Sequence, residues 1–502
     1  MIYNKEDGNA NFLRPFINAY NPLPVHDITT IPGKISGALM LINAIRDAVP
    51  LIHGPIGCAF QRKINPFRPY SSFYETPCTD MRDLEVVYGG EEKLSMGIKE
   101  TYEKYHPGLI VVITTCASDL IGDDFKSVIE ATKEDIGCEV VYTAGDFVGK
   151  SKPIGYQDAL YAITDQMLCK YQKKEEIEKN DCSVNIITLP IQNTALKTAE
   201  MASVLREMGI KINKICFDHT TVKDLYELPK AELTITDYPL AALTLMRERL
   251  GVDYYATVEL EKYKESKEPE LLSPYGIEGS ARVFMEIAKR LDKEGEAEEV
   301  IERRKRIAYE KLSEIKKDLE LEGKKVAYSG MGCLHSLEQQ MLLRDAGINP
   351  SLVIYKTSGL GLFLSMDAME EVRDITVEWA GKYGSEPEIL INPTTEEEIR
   401  AMKENGIDLA IVSSLNNAVY EYHKEGIRTF NREDLMVHYQ RIGFECPVEL
   451  AFRLGEALKK PKKRNPLLCM LEYDTYRANL THEWAKLADI FMSLRGGAVG
   501  DR

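Results

Sequence analysis

Along almost the whole chain, short β-branched runs alternate with longer stretches whose apolar residues recur at helical spacing. A strand buried in a parallel sheet reads as a continuous apolar run, and a helix that covers it is apolar on one side only, so the alternation predicts parallel sheets flanked by helices. Strands are predicted at Gly108–Thr115, Glu139–Tyr142, Ser183–Thr188, Lys214–Cys216, Glu232–Thr236, Lys325–Tyr328, Pro350–Ile354 and Asp408–Val412. They fall into three groups. The charged run Lys173-Lys-Glu-Glu-Ile-Glu-Lys-Asn180 reads as a linker or solvated helix end between the first two. Glu294 to Lys324 is nearly all charged, with Val300, Ile301, Ile307, Leu312, Ile315 and Leu319 at helical spacing, which predicts one long connecting helix. From Pro447 the pattern turns mostly helical. The expected fold class is therefore α/β, with three Rossmann-like parallel α/β units, a long connecting helix and a helical C-terminus. The expected boundaries are 1–180, 181–293, 294–324, 325–446 and 447–502.

Length agrees with several units, since 502 residues exceed one hydrophobic core at roughly 150 residues per domain. Hydrophobic residues at 44% and charged residues at 28% are the balance of an ordinary globular protein. A net charge of −16 with only short basic runs argues against a nucleic-acid surface. Met1 to Phe16 lacks the apolar core of a signal peptide, and no stretch approaches the roughly 20 apolar residues of a membrane span. A cytoplasmic protein is expected, with no nucleic acid and no membrane among its partners.

The 10 cysteines include no C-x-x-C and are too sparse for a disulfide framework, so most are expected to be buried free thiols. Two stand in turns that could do more. In Leu51-Ile-His-Gly-Pro-Ile-Gly-Cys58 an apolar strand end runs into a turn rich in Gly and Pro. There Gly54 and Gly57 let backbone approach whatever Cys58 holds. In Ile113-Thr-Thr-Cys-Ala-Ser-Asp-Leu-Ile-Gly-Asp-Asp124, Cys116 follows the carboxyl end of a predicted parallel strand, where α/β folds place ligands. Thiolates at two such turns could converge on an iron–sulfur centre. Plain packing is the competing reading, because free cysteine is among the most buried residue types. Local spacing leaves both open.

Three segments, in order, resemble signature segments of nitrogenase component 1 subunits: His53-Gly-Pro-Ile-Gly-Cys58, Thr79-Asp-Met-Arg-Asp-Leu-Glu-Val-Val-Tyr-Gly-Gly-Glu-Glu-Lys-Leu94 and Thr115-Cys-Ala-Ser-Asp-Leu-Ile-Gly-Asp-Asp124. Thr143-Ala-Gly-Asp-Phe-Val-Gly149 is similar to the loop after the family's next strand. Downstream the likeness rests on the three units, the charged helix and Arg441-Ile-Gly-Phe-Glu445.

The resemblance implies an oxygen-sensitive oxidoreductase subunit that takes electrons from a separate ATP-dependent iron protein and reduces a buried substrate. In the family, three cysteines per subunit bind an interfacial cluster, and Cys58 and Cys116 match the second and third. The first falls near Pro32-Gly33, where this chain has no cysteine. Two pairs across a symmetric dimer would supply the four thiolates of a [4Fe–4S] cluster, and a related subunit in a heterotetramer could supply the rest. Cys78, between the matched cysteines, is the candidate substitute ligand. The family also holds a large metallocofactor through a cysteine in the second unit and a histidine in the third. This chain reads Asp237-Tyr-Pro-Leu240 at the first place, and His438 stands too close to Gly443-Phe-Glu445 to match the second. An additional metallocofactor held differently, or an organic substrate such as a tetrapyrrole, remains open for that cavity, with Cys333 and His335 of Ser329-Gly-Met-Gly-Cys-Leu-His335 as candidates to face it. A scaffold for metallocluster assembly and a plain ligand-binding α/β protein are the rival readings. Finally, Ala144-Gly-Asp-Phe-Val-Gly-Lys-Ser151 fits a relaxed phosphate-loop pattern. A helix expected to start only near Tyr156, after Pro153 and Gly155, argues against it.

Overall fold

In the computed structural model, the structure describes residues 33–59, 76–145, 152–187, 194–217, 220–258, 273–321, 323–331, 334–356, 366–412, 418–435, 439 and 441–460. Three wholly parallel sheets organise them. The first runs β1 (Ala48–His53), β2 (Leu109–Thr114), β3 (Glu139–Thr143). The second has the order β5 (Lys211–Cys216), β4 (Ser183–Ile187), β6 (Leu233–Thr236), β7 (Asp253–Ala256). The third has the order β10 (Glu388–Ile391), β9 (Pro350–Lys356), β8 (Val326–Met331), β11 (Leu409–Val412), β12 (Thr429–Asn431). In the second and third sheets the chain starts centrally and builds outward in both directions, which opens a crevice at the strand carboxyl ends where the order reverses.

The central strands are the ones the apolar runs predicted. β2, β4, β6 and β11 are buried along their full length, and in β2 and β11 burial on both faces is written into the sequence as a nearly unbroken apolar run. The edge strands β7, β10 and β12 were not expected, and β5 is longer than the expected Lys214–Cys216. All four are edges with mostly half-buried positions, and in β5, β7 and β12 polar residues interrupt the apolar run.

The connecting helix spans Glu294–Asp318, ending short of Lys324 because Glu320 and Gly323 take positive φ. Ala297, Val300, Ile301, Ala308 and Leu312 are its buried face, whereas Ile307, expected to face inward, is exposed. Cys446–Lys459 is helical, as expected of the C-terminal part. His438 and residues 461–502 lie outside the described residues. One expectation is corrected: the helix placed from Tyr156 begins at Lys152 and runs to Ile163. Pro153 lies in its first turn, where a missing N–H costs nothing.

Helix Lys34–Ile42 packs on helix Lys152–Ile163, with Lys34 Nζ 2.6 Å from Asp158. Gly155 rests against the Lys34 carbonyl, too close for any Cβ. One apolar core joins this helix pair and β1–β3 to Ile187, Cys216, Leu225 and Leu240 of the second unit, so the first two sheets share an interior. No helix among the described residues is long and apolar enough to cross a membrane.

Candidate metal-cluster site

The site is built at the carboxyl ends of β1 and β2. β1 ends at His53, and the chain turns through Gly54 and Pro55 into a helical turn over 56–59, where the Cys58 amide donates to the Pro55 carbonyl at 3.0 Å. Residues 77–81 return beside it. Ile52 donates to the Pro77 carbonyl at 2.9 Å, Thr79 N–H to the Ile52 carbonyl at 3.0 Å and Met81 N–H to the Gly54 carbonyl at 3.0 Å. This ladder places Cys78 against the turn, and its thiol donates to the Gly54 carbonyl at 3.1 Å. Cys58 is near enough for the two thiols to feel each other's charge. Burial pushes the Cys78 thiol above its ordinary range, and Cys58 adds to the rise.

Cys116 arrives from the other side. β2 ends at Thr114, and Thr115 caps helix Cys116–Ile121 through a reciprocal pair with Ser118, the Thr115 amide donating to Ser118 Oγ at 2.9 Å. Both hydroxyls then reach across to the turn after β1. Thr115 Oγ1 donates to the His53 carbonyl at 3.2 Å and Ser118 Oγ to the same carbonyl at 3.0 Å. Gly54 is needed where it stands, because a Cβ there would run into the Thr115 hydroxyl. Gly57 faces nothing within 4 Å, so it leaves open space beside Cys58.

Beneath the thiols lies a buried polar chain. His53 is fully buried. Its Nδ1 lies 3.0 Å from Thr79 Oγ1 and its Nε2 3.3 Å from Asp123 Oδ2. Thr79 Oγ1 also accepts from the Gly54 amide at 3.1 Å, and both Asp123 oxygens accept from the Gly90 amide at 3.0 Å. The donor count fixes the protons: Asp123, a carboxylate, only accepts, so Nε2 carries the hydrogen, and Thr79 donates its hydroxyl to Nδ1. Burial pulls the imidazole below its ordinary range despite Asp123, which favours this neutral form.

Around the thiols the surface is apolar and uncovered. Helix Asp83–Tyr88 buries none of its residues, and Leu84, Val86, Val87, Tyr88, Ile56 and Leu120 are exposed, Tyr88 by 84% and Leu120 by 87%. Such a patch on one face marks a contact surface. Cys58, Cys78 and Cys116 carry no disulfide and are partly exposed, which suits ligands that must lose a proton and accept iron. Among the described residues no group of three or more His, Cys, Asp and Glu side chains forms a ready metal cage within this one chain.

The structure therefore draws Cys58, Cys78, Gly54 and Gly57 into one turn and brings the Cys116 loop against it. Cys333 lies outside the described residues, and His335 falls in helix Leu334–Asp345 with its side chain outside them. Residue-by-residue reading missed the polar chain of His53, Thr79, Asp123 and Gly90. Its signal was present, since all four lie inside the three signature segments, but neither pattern nor spacing shows that they meet. At the second strand end named in the sequence, Asp237 and Tyr238 follow β6, and the Asp237 charge reaches the fully buried Tyr156 and the buried Tyr275 phenols, whose ionisation burial already disfavours.

Comparison with known proteins bears on family and fold. The profile of nitrogenase component 1 type oxidoreductases matches residues 34–459. The nitrogenase iron-molybdenum cofactor biosynthesis protein NifE of Clostridium pasteurianum is 27% identical over 370 residues, 70% of this chain and 74% of that one. The nitrogenase molybdenum-iron protein alpha chain of the same organism is 25% identical over 455 residues, 84% of this chain and 79% of that one. Among solved structures, nitrogenase Cp1 at pH 5 superposes with a TM-score of 0.62 at 18% identity, covering 88% of this chain and 90% of that one, a likeness of fold.

Proposed function

The chain belongs to the nitrogenase component 1 type oxidoreductases, and from that premise we propose that it is a redox subunit that holds an iron–sulfur cluster on the exposed face around Cys58 and Cys116. The observation that carries the reading is the coincidence of partly exposed thiols with apolar side chains that are exposed among the described residues, at one pair of strand ends. A cluster held there would supply one-electron transfer at low potential. Cys58 and Cys116 would ligate it, Cys78 stands beside them as a substitute ligand whose thiol is held on the Gly54 carbonyl, and Gly54 and Gly57 keep side chains out of its way. Two thiolates per chain suit a [4Fe–4S] cluster shared across an interface, and the ring of Leu84, Val87, Tyr88 and Leu120 is the surface a second subunit, of this chain or a related one, would cover. An ATP-dependent iron protein is the electron donor in this reading, and a substrate bound between the units is the acceptor.

A second reading has its own support. Relatives named for iron-molybdenum cofactor biosynthesis stand beside the molybdenum-iron protein alpha chain, and this chain carries Asp237-Tyr-Pro-Leu240 where the family's cofactor cysteine is expected. A scaffold on which a metallocluster is assembled and then released needs no permanent ligand there. Stopped-flow mixing of the anaerobic, iron-loaded protein with an iron protein and ATP separates the two. ATP-dependent reduction of the chain's own iron, read by EPR, supports the redox subunit. Unreduced iron that leaves with an apo-acceptor on gel filtration supports the scaffold.

A further inference from the structure

Among the polar groups buried near the thiols, His53 is fully buried and belongs to no candidate ligand set. It closes β1, a strand buried at all 6 positions, where an apolar side chain would fill the same space without the cost of desolvating an imidazole. Each of its polar atoms is nevertheless committed. The carbonyl takes two hydroxyls from the Cys116 loop, Thr115 at 3.2 Å and Ser118 at 3.0 Å. Nδ1 meets Thr79 at 3.0 Å, the residue after Cys78, and Nε2 meets Asp123 at 3.3 Å. The Gly54 amide, at the start of the Cys58 turn, donates to the same Thr79 hydroxyl at 3.1 Å. Phe125 closes the ring edge-on at 5.6 Å between centroids. One residue thus fastens the three segments that carry Cys58, Cys78 and Cys116, which are far apart in sequence.

Resting on the cluster reading above, we propose that His53 is a positioning residue for the cluster: through Thr79, Asp123, Thr115 and Ser118 it fixes the turns that carry the three cysteines and thereby sets the reduction potential of what they hold. Cluster potential follows hydrogen bonding, charge and exposure around the sulfur ligands. Asp123 brings a negative charge with a side chain only 3% exposed, and His53 is the group through which that charge meets the Thr79–Gly54 side of the turn. Networks of this kind act as units, so removing either end forfeits the same effect.

The test uses the full-length protein, purified anaerobically, in four forms: parent, His53→Gln, Asp123→Asn and the double variant. Iron content and circular dichroism come first, then the midpoint potential by EPR-monitored titration. The expected result is parent-level iron with the reduction equilibrium shifted about tenfold in each single variant, about 59 mV for one electron. The Asp123→Asn shift runs positive because a buried negative charge is lost. The double variant shifts no further than the larger single. Thr79→Val, which removes one hydroxyl at nearly constant shape, carries the test if His53→Gln does not fold, and the same tenfold shift is expected of it. Parent-level iron with potentials moved less than twofold, or single shifts that simply add, overturns the proposal alone. A parent protein without iron overturns the cluster reading and this proposal with it.

Discussion

Cys116 and Cys216 begin from the same place and end in opposite conditions. Each lies at the carboxyl end of a parallel strand, Cys116 just after β2 and Cys216 as the last residue of β5. Cys116 opens a helix capped by Thr115, is partly exposed and sits on an uncovered apolar face. Cys216 is fully buried in the core shared by the first two units, and burial pushes its thiol up to about 12. A thiol sealed inside a packed core offers a metal no path of approach, so Cys216 is a packing residue. Strand-end position alone therefore does not make a site. What separates the two is whether another part of the chain covers the strand end, as Tyr156 and Phe217 do around Cys216.

Four substitutions sharpen this contrast, from the largest effect to the smallest. Gly54→Ala should break the open end, because its Cβ meets the Thr115 side chain. The expected loss is about 1–3 kcal/mol in denaturant unfolding together with lost iron, and parent-level iron and stability would show the turn to be less tightly built. At the same face, serine at Leu84, Val87 and Tyr88 together should leave the chain's own stability within about 0.5 kcal/mol at each site. Sedimentation velocity should nonetheless shift toward the single chain, and an unchanged sedimentation profile would show that this face is not the contact. At the closed end, Cys216→Ala should cost about 1 kcal/mol for one buried sulfur and leave iron untouched.

The smallest effect concerns how the second unit is held. Glu200 accepts from the Phe444 and Glu445 amides at 2.6 and 2.9 Å, and Gly443 lies against its carboxylate. Burial raises its pKa above the ordinary glutamate value, with Arg441 opposing. The folded-state pKa exceeds the unfolded one, so its contribution is full below the ordinary glutamate range and is lost as pH rises through the raised value. Glu200→Gln should therefore flatten the decline of melting temperature between about pH 4 and pH 7. A parent and variant that fall in parallel would contradict that sign.

Much of the fold was legible because double-sided burial leaves unbroken apolar runs, as in Leu109–Thr114 and Leu409–Val412. Edge strands such as Thr429–Asn431 were not, since a short, half-buried strand carries no such run. At the site, Cys58 and Cys116 were readable as signature residues. The network of His53 with Thr79 and Asp123 spans 26 and 70 residues of sequence, and only the folded chain brings these side chains together. Exposure was equally hidden: nothing in the residue types of Leu84, Val86 and Val87 shows that, in the structure, helix Asp83–Tyr88 buries none of its side chains.

Iron and acid-labile sulfide per chain after anaerobic reconstitution, measured in the parent, Cys58→Ala, Cys116→Ala and Cys216→Ala proteins, test the central claim most directly. The account predicts about two irons per chain, a four-iron cluster shared by two chains, in the parent and in Cys216→Ala, and none in the other two. Iron that survives in either Cys58→Ala or Cys116→Ala, or that disappears only with Cys216, would contradict it.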